Sequence, residues 1–242
     1  MNCVTKPKHT LHQLNNHLKN NKHSYFFSIA LIVILSLIPI VTQAHPQDAY
    51  LNKLSRSDVF FIYLQLGFTH IIPLGFDHIL FILSLFLLSP KLKTIVWQAT
   101  AFTVAHSITL GLAMYGKIQS PPYIVEPIIA LSIFFVAVEN IITDKLKPTR
   151  IIIVFAFGLI HGLGFAGVLN DLGLPKKEFF NALISFNVGV ELGQLSIILL
   201  AWFLVAKWFN KKPWYRKFIV NPVSALIAII ALYWTIERAF FA

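Results

Sequence analysis

After a polar start, the chain alternates long apolar runs with short polar breaks. The runs fall near residues 26–41, 67–89, 94–115, 123–143, 150–170, 179–206 and 220–240. Each of the last six is about 20 residues or longer, enough for a helix to cross a hydrocarbon core of about 30 Å. The breaks at 89–93, 116–122, 143–150, 170–178 and 207–222 are too short to hold a folded domain. The pattern predicts an all-α fold: a polytopic transmembrane helix bundle of six spans after an N-terminal signal or anchor helix.

The N-terminal 23 residues carry Lys6, Lys8, Lys19 and Lys22 and no acid, and the run at 26–41 ends in Thr42-Gln43-Ala44. Small residues at Thr42 and Ala44 suit a signal peptidase, and a polar stretch, 45–58, follows at once. The expected division is therefore 1–44 as signal peptide or anchor, 45–66 as a short extracytoplasmic and interfacial segment, and 67–242 as the membrane domain. Residues 57–66 are expected to form a short interfacial helix leading into the first span. Cleavage after Ala44 would leave His45 as an N-terminal residue whose amine and imidazole can chelate a metal.

Composition narrows the class. With 57% hydrophobic and 12% charged residues, the chain is neither disordered nor an ordinary soluble domain. Cys3 is the one cysteine, so an intramolecular disulfide and a thiolate site in the membrane are excluded. The net charge of +10 comes from clusters in short loops, which is the signature of membrane topology and not of nucleic-acid binding. One set of alternate loops holds ten basic residues: Lys91, Lys93, Lys145, Lys147, Arg150, Lys207, Lys211, Lys212, Arg216 and Lys217. The other set holds six: Lys53, Arg56, Lys117, Lys176, Lys177 and Arg238. The richer set is expected on the cytoplasmic side, with both termini of the mature chain outside.

Ionisable groups in hydrocarbon are costly and mark function. The first span carries His70, Asp77 and His78, the second His106, the fourth His161 and the fifth Glu191. At about 1.5 Å per residue, His106, His161 and Glu191 share nearly one depth near mid-membrane. Glu126 and Glu139-Asn140 lie toward opposite ends of the third span, and Glu237 near the outer end of the sixth. Asn187, Glu191 and Gln194 fall at i, i+4, i+7 and share one helix face. Thr103, His106 and Ser107 share another face, where the two hydroxyls would either orient the imidazole or bond a carbonyl one turn earlier. Imidazole with carboxylate is a ligand set for nickel, cobalt, zinc or iron, while copper(I) lacks soft ligands here.

The first span is interrupted by Gly67, Pro73 and Gly75, and broken spans expose backbone to ions and substrates in transporters. Gly158, Gly162, Gly164 and Gly167 make the fourth span a candidate for close helix approach. Gly67-x-x-His70 echoes Gly158-x-x-His161, and Ile128-Ile-Ala-Leu131 echoes Ile229-Ile-Ala-Leu232. A 3+3 inverted repeat would pair these same spans.

The segments GFDHILFILSLFLL (75–88), AFTVAHSITLGLA (101–113), ALSIFFVAVENI (130–141), FGLIHGLGFAGVL (157–169) and FNVGVELGQL (186–195) resemble the HupE/UreJ family, in its second, broadly distributed branch. The resemblance covers roughly residues 66–242 and implies a polytopic protein of the bacterial inner membrane. Better-known members go with hydrogenase and urease gene sets and are viewed as nickel permeases. His70, Asp77 and His78 can fill the places where the nickel-associated branch has a histidine followed by an Asp-His pair, with six residues intervening here where five are expected. Gly158, His161 and Gly162 match a second motif, in which Phe157 and Gly164 replace a histidine and a glutamate. Glu191 would then supply the carboxylate.

Three readings follow. In the first, the protein is a divalent transition-metal permease of nickel or cobalt type. Its metal set is His70, Asp77, His78, His106, His161 and Glu191, with Thr103, Ser107, Glu126, Glu139, Asn140, Asn187 and Gln194 as supporting polar groups. Binding by neutral imidazole should weaken below about pH 6. In the second, the same residues hold zinc in an intramembrane hydrolase with Asp77 or Glu191 as general base. In the third, the polar groups pack the helices of a non-catalytic accessory membrane protein. The expected partners are a metal ion and the lipid bilayer, with no nucleic acid, and a homo-oligomer is compatible with all three.

Overall fold

The computed structural model describes residues 53–119 and 121–241. The expected signal or anchor helix and His45 lie outside these residues. Within them the chain is helix and loop, with no strand. The helices are α1 (Arg56–Ile71), α2 (Phe76–Leu88), α3 (Leu92–Met114), α4 (Pro122–Ile142), α5 (Arg150–Leu172), α6 (Phe179–Ala201) and α7 (Asn221–Phe240). Wide π-helical turns at Trp202–Ala206 and Arg216–Val220 extend α6 and lead into α7.

Five helical segments are long and apolar enough to cross a membrane, and the α1–α2 pair makes a sixth when its two pieces are counted together. The helix that enters the first span begins at Arg56. Residues 57–66, expected as a short helix leading into the first span, are continuous with it: α1 runs unbroken from Arg56 through Gly67 to Ile71. Ser55 fixes that start with a capping box: its Oγ accepts from the Asp58 N–H at 3.2 Å, and the Asp58 carboxylate accepts from the Ser55 N–H at 3.2 Å. The break comes at residues 72–75, where Pro73 has no N–H to offer, and α2 leaves at 67° to α1.

Hydrogen bonds at the two ends show that the broken pair traverses the bundle. At one end, Asn181 Nδ2 donates to the Arg56 carbonyl at 2.9 Å, and Tyr63 Oη donates to the Gly173 carbonyl beyond the end of α5 at 2.8 Å. At the other, Asn140 Nδ2 donates to the Ser84 carbonyl at 2.8 Å, close to where α4 ends and α5 begins. The pair therefore enters where α5 ends and leaves where α5 starts, as a full crossing does and a re-entrant loop does not.

Close packing falls on three helix pairs: α1 with α6, α3 with α5, and α4 with α7. Glycines allow the first two. A Cβ on Gly67 would overlap the Phe186 carbonyl, and one on Gly158 would overlap the backbone of Phe102. One turn on, His70 packs its ring 5.7 Å from that of Phe186, and His161 packs 4.9 Å from Phe102. Exchanging the halves α1–α4 and α5–α7 turns the α1–α6 pair into the α5–α3 pair and returns α4–α7 to itself. The Gly-x-x-His echo thus marks equivalent positions in two halves that pack in the manner of an inverted repeat.

Candidate metal centre

The break at Pro73 brings two histidines of one span together. His70 ends α1, His78 begins α2, and their ring centroids lie 4.7 Å apart. His106 reaches them from α3, with centroids 6.2 Å from His70 and 6.0 Å from His78. One ring nitrogen from each of these three lies within 4.8 Å of the others. Nitrogens bound to one zinc-sized ion at about 2.1 Å sit roughly 3–4 Å apart, so a small inward movement would complete a three-histidine site. His161 on α5 flanks the group, its ring centred 5.2 Å from that of His78.

Two of the imidazoles have their tautomer set by the surrounding helices. His106 Nδ1 lies 3.2 Å from Asn187 Oδ1. The amide of Asn187 is itself oriented, since its Nδ2 donates to the Leu183 carbonyl at 2.8 Å. Oδ1 must then accept, so His106 carries its proton on Nδ1. His161 Nδ1 donates in the same way to the Phe157 carbonyl at 2.9 Å. Both rings are left with a bare Nε2, the atom a metal binds. The Nε2 atoms of His70, His78, His106 and His161 are all buried and without a hydrogen-bond partner. Four such orphans in one neighbourhood are rare in a packed interior, where buried polar atoms are nearly always paired.

A cavity of about 410 Å³ leads to this group. Glu126, Asp77, Trp234 and Arg238 line it together with His70, His78 and His161. Asp77 is occupied by Arg238, whose Nη1 and Nη2 donate to the two carboxylate oxygens at 2.9 and 3.1 Å. This cavity belongs to the end of the bundle where α4 begins and α7 ends. At the other, buried Arg150 pairs with Glu139 at 3.2 Å and donates to Asn140 Oδ1 at 3.4 Å. Arg216 there donates to the carbonyls of Asn140 and Thr143, at 2.8 and 2.7 Å.

A family model described as HupE / UreJ protein matches residues 46–238. The chain belongs to the HupE/UreJ family. It is a multi-pass membrane protein of that family, and the matched region takes in every residue of the histidine group. No curated protein and no solved structure matches the chain.

Against the residues expected from the sequence of this HupE/UreJ protein, the geometry divides the set. His70, His78 and His106 come together with His161 beside them, and Asp77 and Glu126 line the approach. Glu191 is not among the groups that converge; its carboxylate accepts from Thr100 and Thr103 between α3 and α6. Glu139 and Asn140 belong to the closed end. The hydroxyls of Thr103 and Ser107 do not orient His106. Thr103 Oγ1 faces the Glu191 carboxylate, with the Ala99 carbonyl 3.2 Å away as the alternative acceptor, Ser107 Oγ donates to the Thr103 carbonyl one turn back, and Asn187 orients the ring instead. Gln194 is buried, and among the described residues its side chain has one hydrogen-bond partner, Thr103 Oγ1 at 3.3 Å from its Oε1. Arg238 and Arg150 were legible only as loop charges. Their place at the ends of apolar spans, each within reach of an acid on another helix, was the available signal.

Proposed function

We propose that this protein is a permease for a divalent transition-metal ion of the nickel and cobalt class, with the ion as its substrate. The observation that carries the reading is the four neighbouring Nε2 atoms without partners, beside a cavity of about 410 Å³ whose wall includes His70, His78 and His161. An ion would enter past Glu126 and Asp77 and be taken up by His70, His78 and His106, with His161 as the next donor. The loop charge counts support an outer position for the cavity end, with both mature termini on that side of what the family resemblance implies is a bacterial inner membrane. Passage onward requires the Arg150–Glu139 end to open, so the present conformation is the outward-facing member of an alternating pair.

The hydrolase reading is weaker on the same geometry. A general base must reach the water it activates. Both oxygens of Asp77 are engaged by Arg238, and both oxygens of Glu191 are engaged by Thr100 and Thr103 between α3 and α6.

The test is nickel, cobalt and zinc binding to the purified protein, followed by uptake into vesicles, for wild type beside His78→Ala and His161→Ala. Exchangeable nickel or cobalt, lost in His78→Ala and weakened in His161→Ala, with uptake lost in parallel, is the expected result. Stoichiometric zinc that does not exchange and no uptake would overturn the reading in favour of a resident metal.

A further inference from the structure

Residues 207–217 turn the chain from α6 back toward α7. The segment carries Lys207, Lys211, Lys212, Arg216 and Lys217 and no acid. Arg216 is taken up by the bundle: its Nη2 donates to the Asn140 and Thr143 carbonyls at the end of α4, at 2.8 and 2.7 Å. With Tyr215 buried beside it, this contact fixes the turn to the protein. The four lysines are exposed, and among the described residues none of them makes an ion pair.

Aromatic rings surround these charges. Lys207 Nζ stands 5.2 Å from the ring centres of both Phe203 and Trp208, and Lys217 Nζ 5.4 Å from that of Phe218. Phe209 and Trp214 meet across the turn with centroids 5.5 Å apart, on either side of Lys211 and Lys212 in the chain. Phe203, Trp208, Trp214 and Phe218 are exposed, and exposed tryptophan at the end of an apolar span sits at headgroup depth. An ammonium over a ring keeps donors free, since it has three and accepts none. Loop charge alone would set topology with neither rings nor a clamp. Here the clamp, the rings and the lysines together hold cations at the depth of phospholipid phosphates, with apolar surface beside them for the chains.

We propose that residues 207–217 are a binding site for anionic phospholipid headgroups in the leaflet at the Arg150–Glu139 end. The lysine ammonium groups donate to the phosphate oxygens, and the acyl chains lie against Phe203 and Phe218. Lipid binding here stands apart from the metal reading, and no metal enters its test.

Full-length protein carrying Trp97→Phe and Trp234→Phe, which keeps Trp202, Trp208 and Trp214, is reconstituted in vesicles of phosphatidylcholine and phosphatidylglycerol with one lipid or the other brominated. Quenching of tryptophan fluorescence then gives the ratio of the two affinities. A lysine at an anionic surface is worth about fivefold in binding, so phosphatidylglycerol is expected to be preferred about fivefold or more. The preference should shrink in about 0.5 M salt. Replacing Lys207, Lys211, Lys212 and Lys217 by Gln is expected to bring the ratio to about one. Lys91→Gln with Lys93→Gln, at exposed lysines of another loop at the same end, is expected to keep it. Should the fourfold variant fail to fold, Lys207→Gln/Lys217→Gln and Lys211→Gln/Lys212→Gln are measured apart, each expected to lose part of the preference. Equal affinity for the two lipids before any lysine is changed overturns the proposal, as does a preference undiminished in the lysine variants. An equal loss in the Lys91/Lys93 variant also overturns it, by making the preference a property of that whole end. So does displacement of the lipid by inorganic phosphate beyond that given by chloride at the same ionic strength, which would make this a site for a free anion.

Discussion

His106 and Asn187 are joined across the contact of α3 with α6, Nδ1 to Oδ1 at 3.2 Å, and this one bond decides which nitrogen of His106 faces the other histidines. It is a packing contact between two spans and a control on metal-site chemistry at once.

Removing that bond should loosen the metal without unfolding the protein. Asn187→Leu frees the ring to rotate and to change tautomer, and such outer partners of metal-binding histidines are worth about 10–100-fold in affinity. Titration calorimetry with nickel or cobalt is expected to show a loss in that range, with near-wild-type thermal stability. Unchanged affinity would mean that His106 is not a ligand.

The glycine contacts give a paired test of the packing. Gly67→Ala forces a methyl group into the Phe186 carbonyl, and overpacking of this kind costs about 1–3 kcal/mol or more. A Cβ at Gly167 meets nothing within 4 Å, so Gly167→Ala is expected to be neutral or stabilising by up to about 1 kcal/mol. Thermal unfolding in detergent should drop for the first variant and hold for the second. Equal behaviour would show that α1 and α6 do not approach so closely.

At the closed end, Arg150 is 2% exposed and Glu139 16%. Breaking a buried pair by removing one partner costs about 3–5 kcal/mol, because the other charge stays buried. Arg150→Met should therefore be strongly destabilised, and Glu139→Gln added to it should restore much of the loss. A double variant no better than the single one would show that Glu139 reaches water freely.

Arg238 competes with any cation for Asp77. Arg238→Gln leaves that carboxylate free at the approach to the histidines, so metal association should speed several-fold at low salt and less at high salt, as screening predicts. Stopped-flow binding at two ionic strengths measures this. A slower association would mean that Arg238 holds the entrance open.

Acid should weaken metal binding in every variant that retains the histidines, because a protonated imidazole has no lone pair to give. The measurement is metal affinity across the acidic range, and the expected sign is a fall as pH falls.

Much of the architecture is written in one dimension. Apolar runs with short breaks specify a helical membrane bundle, since nothing else satisfies backbone groups in lipid except a closed barrel. Pro73 marks the break because a residue without an N–H interrupts a helix wherever it falls. The Gly-x-x-His echo in the first and fourth spans marks two of the three close helix contacts and two of the four histidines. The start of α1 was not legible, because Asp58–Leu66 is apolar enough to be either an interfacial helix or the first turns of a span.

Which face each span turns inward was decided only by the tertiary structure. Asn187 and Glu191 share a face of α6 by spacing, and His106, His161 and Glu191 share a depth. Yet Asn187 bonds His106, while Glu191 bonds Thr100 and Thr103 in a cleft facing lipid. A helix that is apolar all round has no wet side to fix its rotation. In lipid that rotation is set by where glycines let backbones touch and where buried polar atoms find partners, and both depend on the neighbouring helix. Sequence therefore determined the spans, their depths and the inventory of polar groups. Only the packed bundle decided that four histidines converge and that the glutamate expected beside them stands apart.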